Sequence, residues 1–204
     1  MADPSYIGAD GVLTDGEAWV GLATTTLGAD AASVRFTNPN DGSSTDWSQF
    51  MDLIIVGYTR ILRAVAGGDW LVIELNDDAF GNGYYNGQAF VGDGANASGQ
   101  GDMDQGYLAW MPSASDTTGI FGAFVTTLFD INSGKNKMFS TTSCDDSAPG
   151  TNGQARLMTV NWMKQADLAA IDLIGYRGDL ADGSMFSLFG VLPRMGPPSV
   201  TVSP

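Results

Sequence analysis

Turn-forming residues interrupt this chain before any apolar run outgrows a β-strand. Gly28-Ala29-Asp30 follows Leu27, Ala66-Gly67-Gly68-Asp69 follows the run from Phe50 to Arg63, and Ser133-Gly134-Lys135 follows Ile131. Breaks of this kind recur about every eight to fifteen residues, which suits short strands and leaves little room for helices. Between the breaks, apolar residues alternate. In the run 70–76, Leu71, Ile73 and Leu75 share one face and Trp70, Val72 and Glu74 the other. The run 50–63 is apolar at both phases, as expected of a strand buried on both faces through its middle. With further runs at 24–36, 107–111, 120–131, 137–144, 155–163, 167–178 and 184–192, about nine or ten strands are expected. Only KQADLAAIDLIGY is ambiguous, because Leu168, Ala169, Ile171 and Leu173 also fit a short helical turn ahead of a strand.

Composition agrees with that pattern. The chain holds 27 glycines in 204 residues, yet 44% of it is hydrophobic and only 16% charged, so it can build a packed core. The expected fold is all-β: a two-sheet antiparallel β-sandwich, jelly-roll-like, with extended N- and C-terminal arms. Residues 1–18 read as an extended N-terminal arm, residues 19–192 as a single β-sandwich domain, and residues 193–204, with three prolines in MGPPSVTVSP, as a Pro-rich C-terminal arm. Residues 77–106 are dense in Gly, Asn and Asp and read as a long excursion with at most one short strand, around Gln88 to Val91. That excursion is expected to face outward, with Tyr84, Tyr85 and Phe90 as its candidate binding residues.

Charge and residue types then remove whole classes of function. Nine Lys+Arg against 23 Asp+Glu give a net charge of −14, which opposes nucleic-acid binding. No stretch is long and apolar enough to span a membrane, and the first residues lack the basic start and apolar run of a signal peptide. The absence of histidine excludes imidazole general bases and zinc-histidine sites. Cys144, the one cysteine, can form no internal disulfide and is expected to be buried or idle. Glu17 and Glu74 are the only glutamates, and no pair of carboxylates stands out as an acid and its partner, so no enzyme is expected. The strings NDDAFGNG and GDMDQG place oxygen ligands beside glycine turns, the chemistry that Ca2+ favours. Asp102 and Asp104 lack the remaining positions of a helix-loop-helix calcium loop, so no cofactor is expected, with a structural Ca2+ as the one candidate. Trp47, Trp70, Tyr84, Tyr85 and Phe90 could stack on sugars, against the competing role of core packing.

The order of these motifs resembles a family of small virion structural proteins of tailed bacteriophages. The resemblance is carried by TTTLGADAASVRF, by DLIIVGYTRILR, by a strand ending in LNDD with GYY nearby, and by IDLIGY followed by DGSMFSLFGV, and it spans residues 22 to 191. It implies a surface module of the virion: a capsid decoration or cement protein, or a head fibre. The implied partners are the major capsid protein or tail proteins, with further copies of the chain as a homotrimer or other homo-oligomer. The alternative it implies is a tail or tail-fibre component that binds a host surface glycan. Two positions depart from the family. Asn76-Asp77 stands where Asn-Gly is usual, so a wider turn is expected, and Phe189 replaces a common Tyr. The motifs are structural: Gly183-Ser184 sets register, and Met185, Ser187 and Phe189 alternate with Phe186, Leu188 and Val191 across the last strand.

Overall fold

A computed structural model describes residues 19–64, 67–92, 97–145 and 153–192. Both expected arms, 1–18 and 193–204, lie outside the described residues. Twelve strands are described: β1 (Trp19–Thr26), β2 (Ser33–Thr37), β3 (Asp52–Thr59), β4 (Asp69–Leu75), β5 (Tyr85–Gly92), β6 (Ala97–Met103), β7 (Tyr107–Met111), β8 (Gly122–Phe129), β9 (Lys137–Asp145), β10 (Gln154–Trp162), β11 (Ala170–Gly175) and β12 (Met185–Val191). A single 3-10 turn, Trp47–Gln49, precedes β3. The segment that could have been helical forms β11 instead, with Leu168 buried in the core ahead of it.

The strands form two antiparallel sheets, one of eight strands in the order β1-β12-β3-β8-β9-β10-β5-β6 and one of four in the order β2-β11-β4-β7. The topology is simplest with β5, β6, β9 and β10 set aside. The remaining strands give β1-β12-β3-β8 facing β2-β11-β4-β7, and consecutive strands cross to the other sheet at every step but one, β4 to β7, which pair within the small sheet. That is jelly-roll winding. The other four strands extend the first sheet beyond β8 as a lateral wing.

Alternation explains the core between the sheets. Leu53 and Ile55 of β3, Phe186 and Leu188 of β12, Leu71, Ile73 and Leu75 of β4, and Ile171 and Leu173 of β11 meet there. In β3, burial on both faces holds only through Leu53, Ile54 and Ile55; Val56 and Tyr58 are exposed. Val191 lies on the same face as Met185, Ser187 and Phe189, as a period of two requires, and not with Phe186 and Leu188.

Residues 77–106 are not an open loop. They contain the β5–β6 pair, joined to the sheet through β10. Glycine misleads here because at Gly87 it admits close packing inside a strand: a Cβ would lie 2.7 Å from both the Thr159 carbonyl oxygen and the Val160 side chain.

The Asn76-Asp77 turn is also tighter than expected. Both residues adopt positive φ, 53° and 61°, and the Asp78 amide donates to the Leu75 carbonyl at 3.0 Å. This is the geometry of a two-residue primed turn. Local bonds stabilise it. The Asn76 side chain accepts from the amides of Ala169 (2.7 Å) and Ala170 (3.0 Å), and Asp77 pairs with Arg35 at 2.7 Å.

The terminal motifs meet in space. Leu27 makes two backbone bonds with Gly183-Ser184, the Gly183 amide donating to the Leu27 carbonyl and the Leu27 amide donating to the Ser184 carbonyl, each at 2.9 Å. Gly183 takes a φ of 81°, and the Thr59 hydroxyl donates to Ser184 at 3.0 Å beneath the turn.

Candidate functional site

The three candidate residues of the excursion do not converge. Tyr84 and Tyr85 are neighbours at the start of β5, and strand alternation sends them to opposite sides. Tyr84 is 38% exposed, with the Lys164 ammonium 3.5 Å from its ring centroid. Tyr85 is 1% exposed and therefore not outward-facing. Its hydroxyl donates to the Asp78 carbonyl and accepts from the Leu75 amide, each at 2.9 Å, and burial pushes its pKa up. Its role is to tie β4, the following turn and β5 together.

Phe90 is 56% exposed and sits on the outer face of the large sheet. With Leu157, its cross-strand partner, it rims a hollow of about 550 Å³ floored by Gly92, Ala97, Gly99 and Ala155. Small residues here leave space that larger ones would fill.

Phe90 belongs to a longer feature that strand register assembles. Ser187, Val56, Val125, Thr142, Leu157 and Phe90 stand side by side across β12, β3, β8, β9, β10 and β5. The next row is Met185, Tyr58, Ala123, Cys144, Ala155 and Gly92. Val56, Val125, Leu157, Met185, Tyr58, Phe129 and Met138 are all exposed on this face. Cys144 is also exposed there, so of the two expectations for it, buried or idle, burial does not hold. Across these six strands the outward positions carry one charge, Asp52 at the end of β3, in a chain of net charge −14. Exposed contiguous apolar surface of this kind marks interaction sites on soluble proteins.

Sequence reasoning found Phe90 and missed the rest of the face. A signal was present in β3, where Val56 and Tyr58 keep the outward phase apolar although a solvated face favours polar residues. What a single strand cannot show is which strands lie beside it.

The opposite side of the molecule has different chemistry. On the four-stranded sheet, Arg35 lies 2.7 Å from both Asp77 and Asp172. Its guanidinium holds the Asp77 carboxyl below the usual range, whereas burial pushes Asp172 upward. Farther along, Phe80, Tyr176, Tyr107, Trp70 and Trp110 form a chain of tilted and edge-on rings with centroids 4.9–5.7 Å apart. Burial and the neighbouring Tyr176 push the Tyr107 hydroxyl up to about 12. Met158 and Ala89 of the wing pack on Trp70 and Tyr107, and the Arg156 guanidinium lies 5.1 and 5.0 Å from the ring centroids of Trp70 and Trp110. These aromatics bind the wing to the small sheet. Trp47 is core.

Among the described residues, no three His, Cys, Asp or Glu side chains are grouped to hold a metal ion. The side chain of Asp102 lies outside the described residues. No described helix is long and apolar enough to cross a membrane. Compared with known proteins, the chain matches no family and no curated protein.

Proposed function

We propose that this chain is a structural protein of a tailed-bacteriophage virion, a capsid decoration or head-fibre protein bound to the particle surface. The observation that carries this reading is the outer face of the eight-stranded sheet across β12, β3, β8, β9, β10 and β5, a broad surface with almost no charge on a strongly acidic chain. Such a face costs free energy in water and is stabilised when another protein covers it. A component of a repeated assembly meets that condition permanently. The jelly-roll winding supports the reading, and so does the meeting of Leu27 with Gly183-Ser184, since both belong to the motifs that resemble virion proteins. The acidic turns suit the outside of a particle, where they keep the surface soluble and repel DNA.

The test compares particles with and without the chain. Particles that lack it should lose infectivity at a lower temperature, with host adsorption unchanged. Equal thermal resistance and equal adsorption would overturn the reading.

The half-exposed rings of Tyr107 and Tyr176 on the other sheet, beside Arg177, favour a second reading, a tail or tail-fibre component that contacts host surface glycans. Binding of the purified protein to host polysaccharide, reduced at least tenfold by Tyr176→Ala, would support it; no binding at all would retire it.

A further inference from the structure

We infer that the outer face of the eight-stranded sheet is covered by a second copy of this chain, packed face to face about a two-fold axis. The inference deepens the proposed function by naming the partner at that face, and it rests on that reading only in requiring that a protein cover it.

Three observations favour a second copy over an unrelated partner. The first is charge. Two chains of net charge −14 repel, and most surfaces they could bring together carry turn aspartates. Across β12, β3, β8, β9, β10 and β5, this face lets two copies meet with one carboxylate each, Asp52, which lies at the end of β3.

The second observation is self-complementarity. A two-fold interface sets each residue type against a surface made of the same types. The polar groups on this face are hydroxyls and amides, such as Thr142, Thr159 and Asn161, and each of these both donates and accepts. A face built on lysines or on carboxylates alone could not pair with itself in this way.

The third is area. Six strands about 4.8 Å apart, each with four outward positions about 6.8 Å apart, cover roughly 800 Å², which is about what one partner contributes to a standard stable interface. Sheets packed this way interleave their outward side chains, and the hollow between Phe90 and Leu157 offers room for one from the opposite copy.

The experiment is the solution mass of the purified chain, measured by light scattering and sedimentation between 1 and about 100 µM, with no phage component present. The expected mass is twice the 21.4 kDa of one chain. Leu157→Lys and Val125→Lys place charge at the middle of the face, where the side chains are 45% and 43% exposed, and should weaken association at least a hundredfold. Thr159→Lys alters an exposed hydroxyl and removes nothing from the core, so it carries the test if the apolar replacements fail to fold. Asp179→Asn changes the net charge by the same single unit at an exposed position away from this face and should leave the mass unchanged. A wild-type monomer at 100 µM, an odd number of copies, or a dimer untouched by Thr159→Lys would each overturn the inference. None of these results decides whether the chain is found on a virion, which the particle experiment decides separately.

Discussion

Asp46 and Arg60 carry much of the local order in this fold, because each fixes a loop whose backbone groups have few other partners. Asp46 is buried and accepts from the amides of Gly42 (2.8 Å) and Ser48 (2.9 Å), so it caps the short turn that delivers Trp47 to the core. Asp46→Ala should lower the unfolding free energy by about 1–2 kcal/mol, read from denaturant midpoints at unchanged slope. Those amides, foremost Ser48, hold the Asp46 carboxyl below its ordinary range. Its contribution is therefore complete above the ordinary carboxylate range and is lost as pH falls through its lowered value. In Asp46→Asn the acid side of the stability profile should flatten. Arg60 donates to the carbonyls of Thr117 (2.7 Å), Asp116 (2.9 Å) and Ala114 (3.1 Å) and holds the loop between β7 and β8. Lysine cannot present that planar fork, so Arg60→Lys should cost about 2 kcal/mol and raise protease sensitivity within 114–120. The sequence displays the arginine but not its acceptors, since they lie more than fifty positions away. Gly183-Ser184 was legible because a positive φ followed by a strand is a local signal. The split between Tyr84 and Tyr85 depends on where β5 begins, which glycine-rich flanks conceal.

At the scale of elements, the wing is where local reading fails. Strands β9 and β10 alternate plainly and were expected, whereas β5, of which only Gln88 to Val91 was expected, and β6 are rich in Gly, Asn, Gln and Ala. Those residues have low strand propensity and form strands here because β10 supplies a complete ladder for β5 and Tyr85 anchors one end. Glycines within strands have a related purpose in the centre of the sheet. A Cβ at Gly57 would lie 2.2 Å from the Phe124 ring, and one at Gly190 would lie 2.4 Å from the Phe50 ring. Each glycine admits an aromatic ring from a neighbouring element into close contact with the sheet. Gly57→Ala must displace Phe124 from the core and should cost about 1–3 kcal/mol. Gly21→Ala, where nothing lies within 4 Å of the added atom, should be close to neutral in the same thermal-melt comparison.

The described residues combine an acidic set of turns, a charged and aromatic small sheet, and a large face with almost no charge. Fold class followed from the spacing of turns, but the division into eight and four strands did not, because pairing between β8 and β9 or between β10 and β5 is a choice among strands of similar pattern. The outer face was hidden for the same reason. Acid response is a property of the whole chain. With no histidine, no side chain of ordinary pKa titrates between about pH 6 and 8, so the melting temperature should be nearly flat across that range. Below it the carboxylates act in two senses. Asp46 loses stabilisation as it protonates, while Asp172, pushed upward by burial, gains it, because the folded state takes up that proton first. The Asp172→Asn variant should therefore differ from the parent chiefly above the range in which Asp172 titrates, where burial of its charge is costly. Cryo-electron microscopy of particles that carry the chain tests the proposal that it is a repeated virion component whose nearly charge-free face is covered by another copy. Jelly-roll density should repeat on the particle surface, with the eight-stranded sheets of neighbouring copies opposed; particles without that density, or with that face open to solvent, would contradict the proposal.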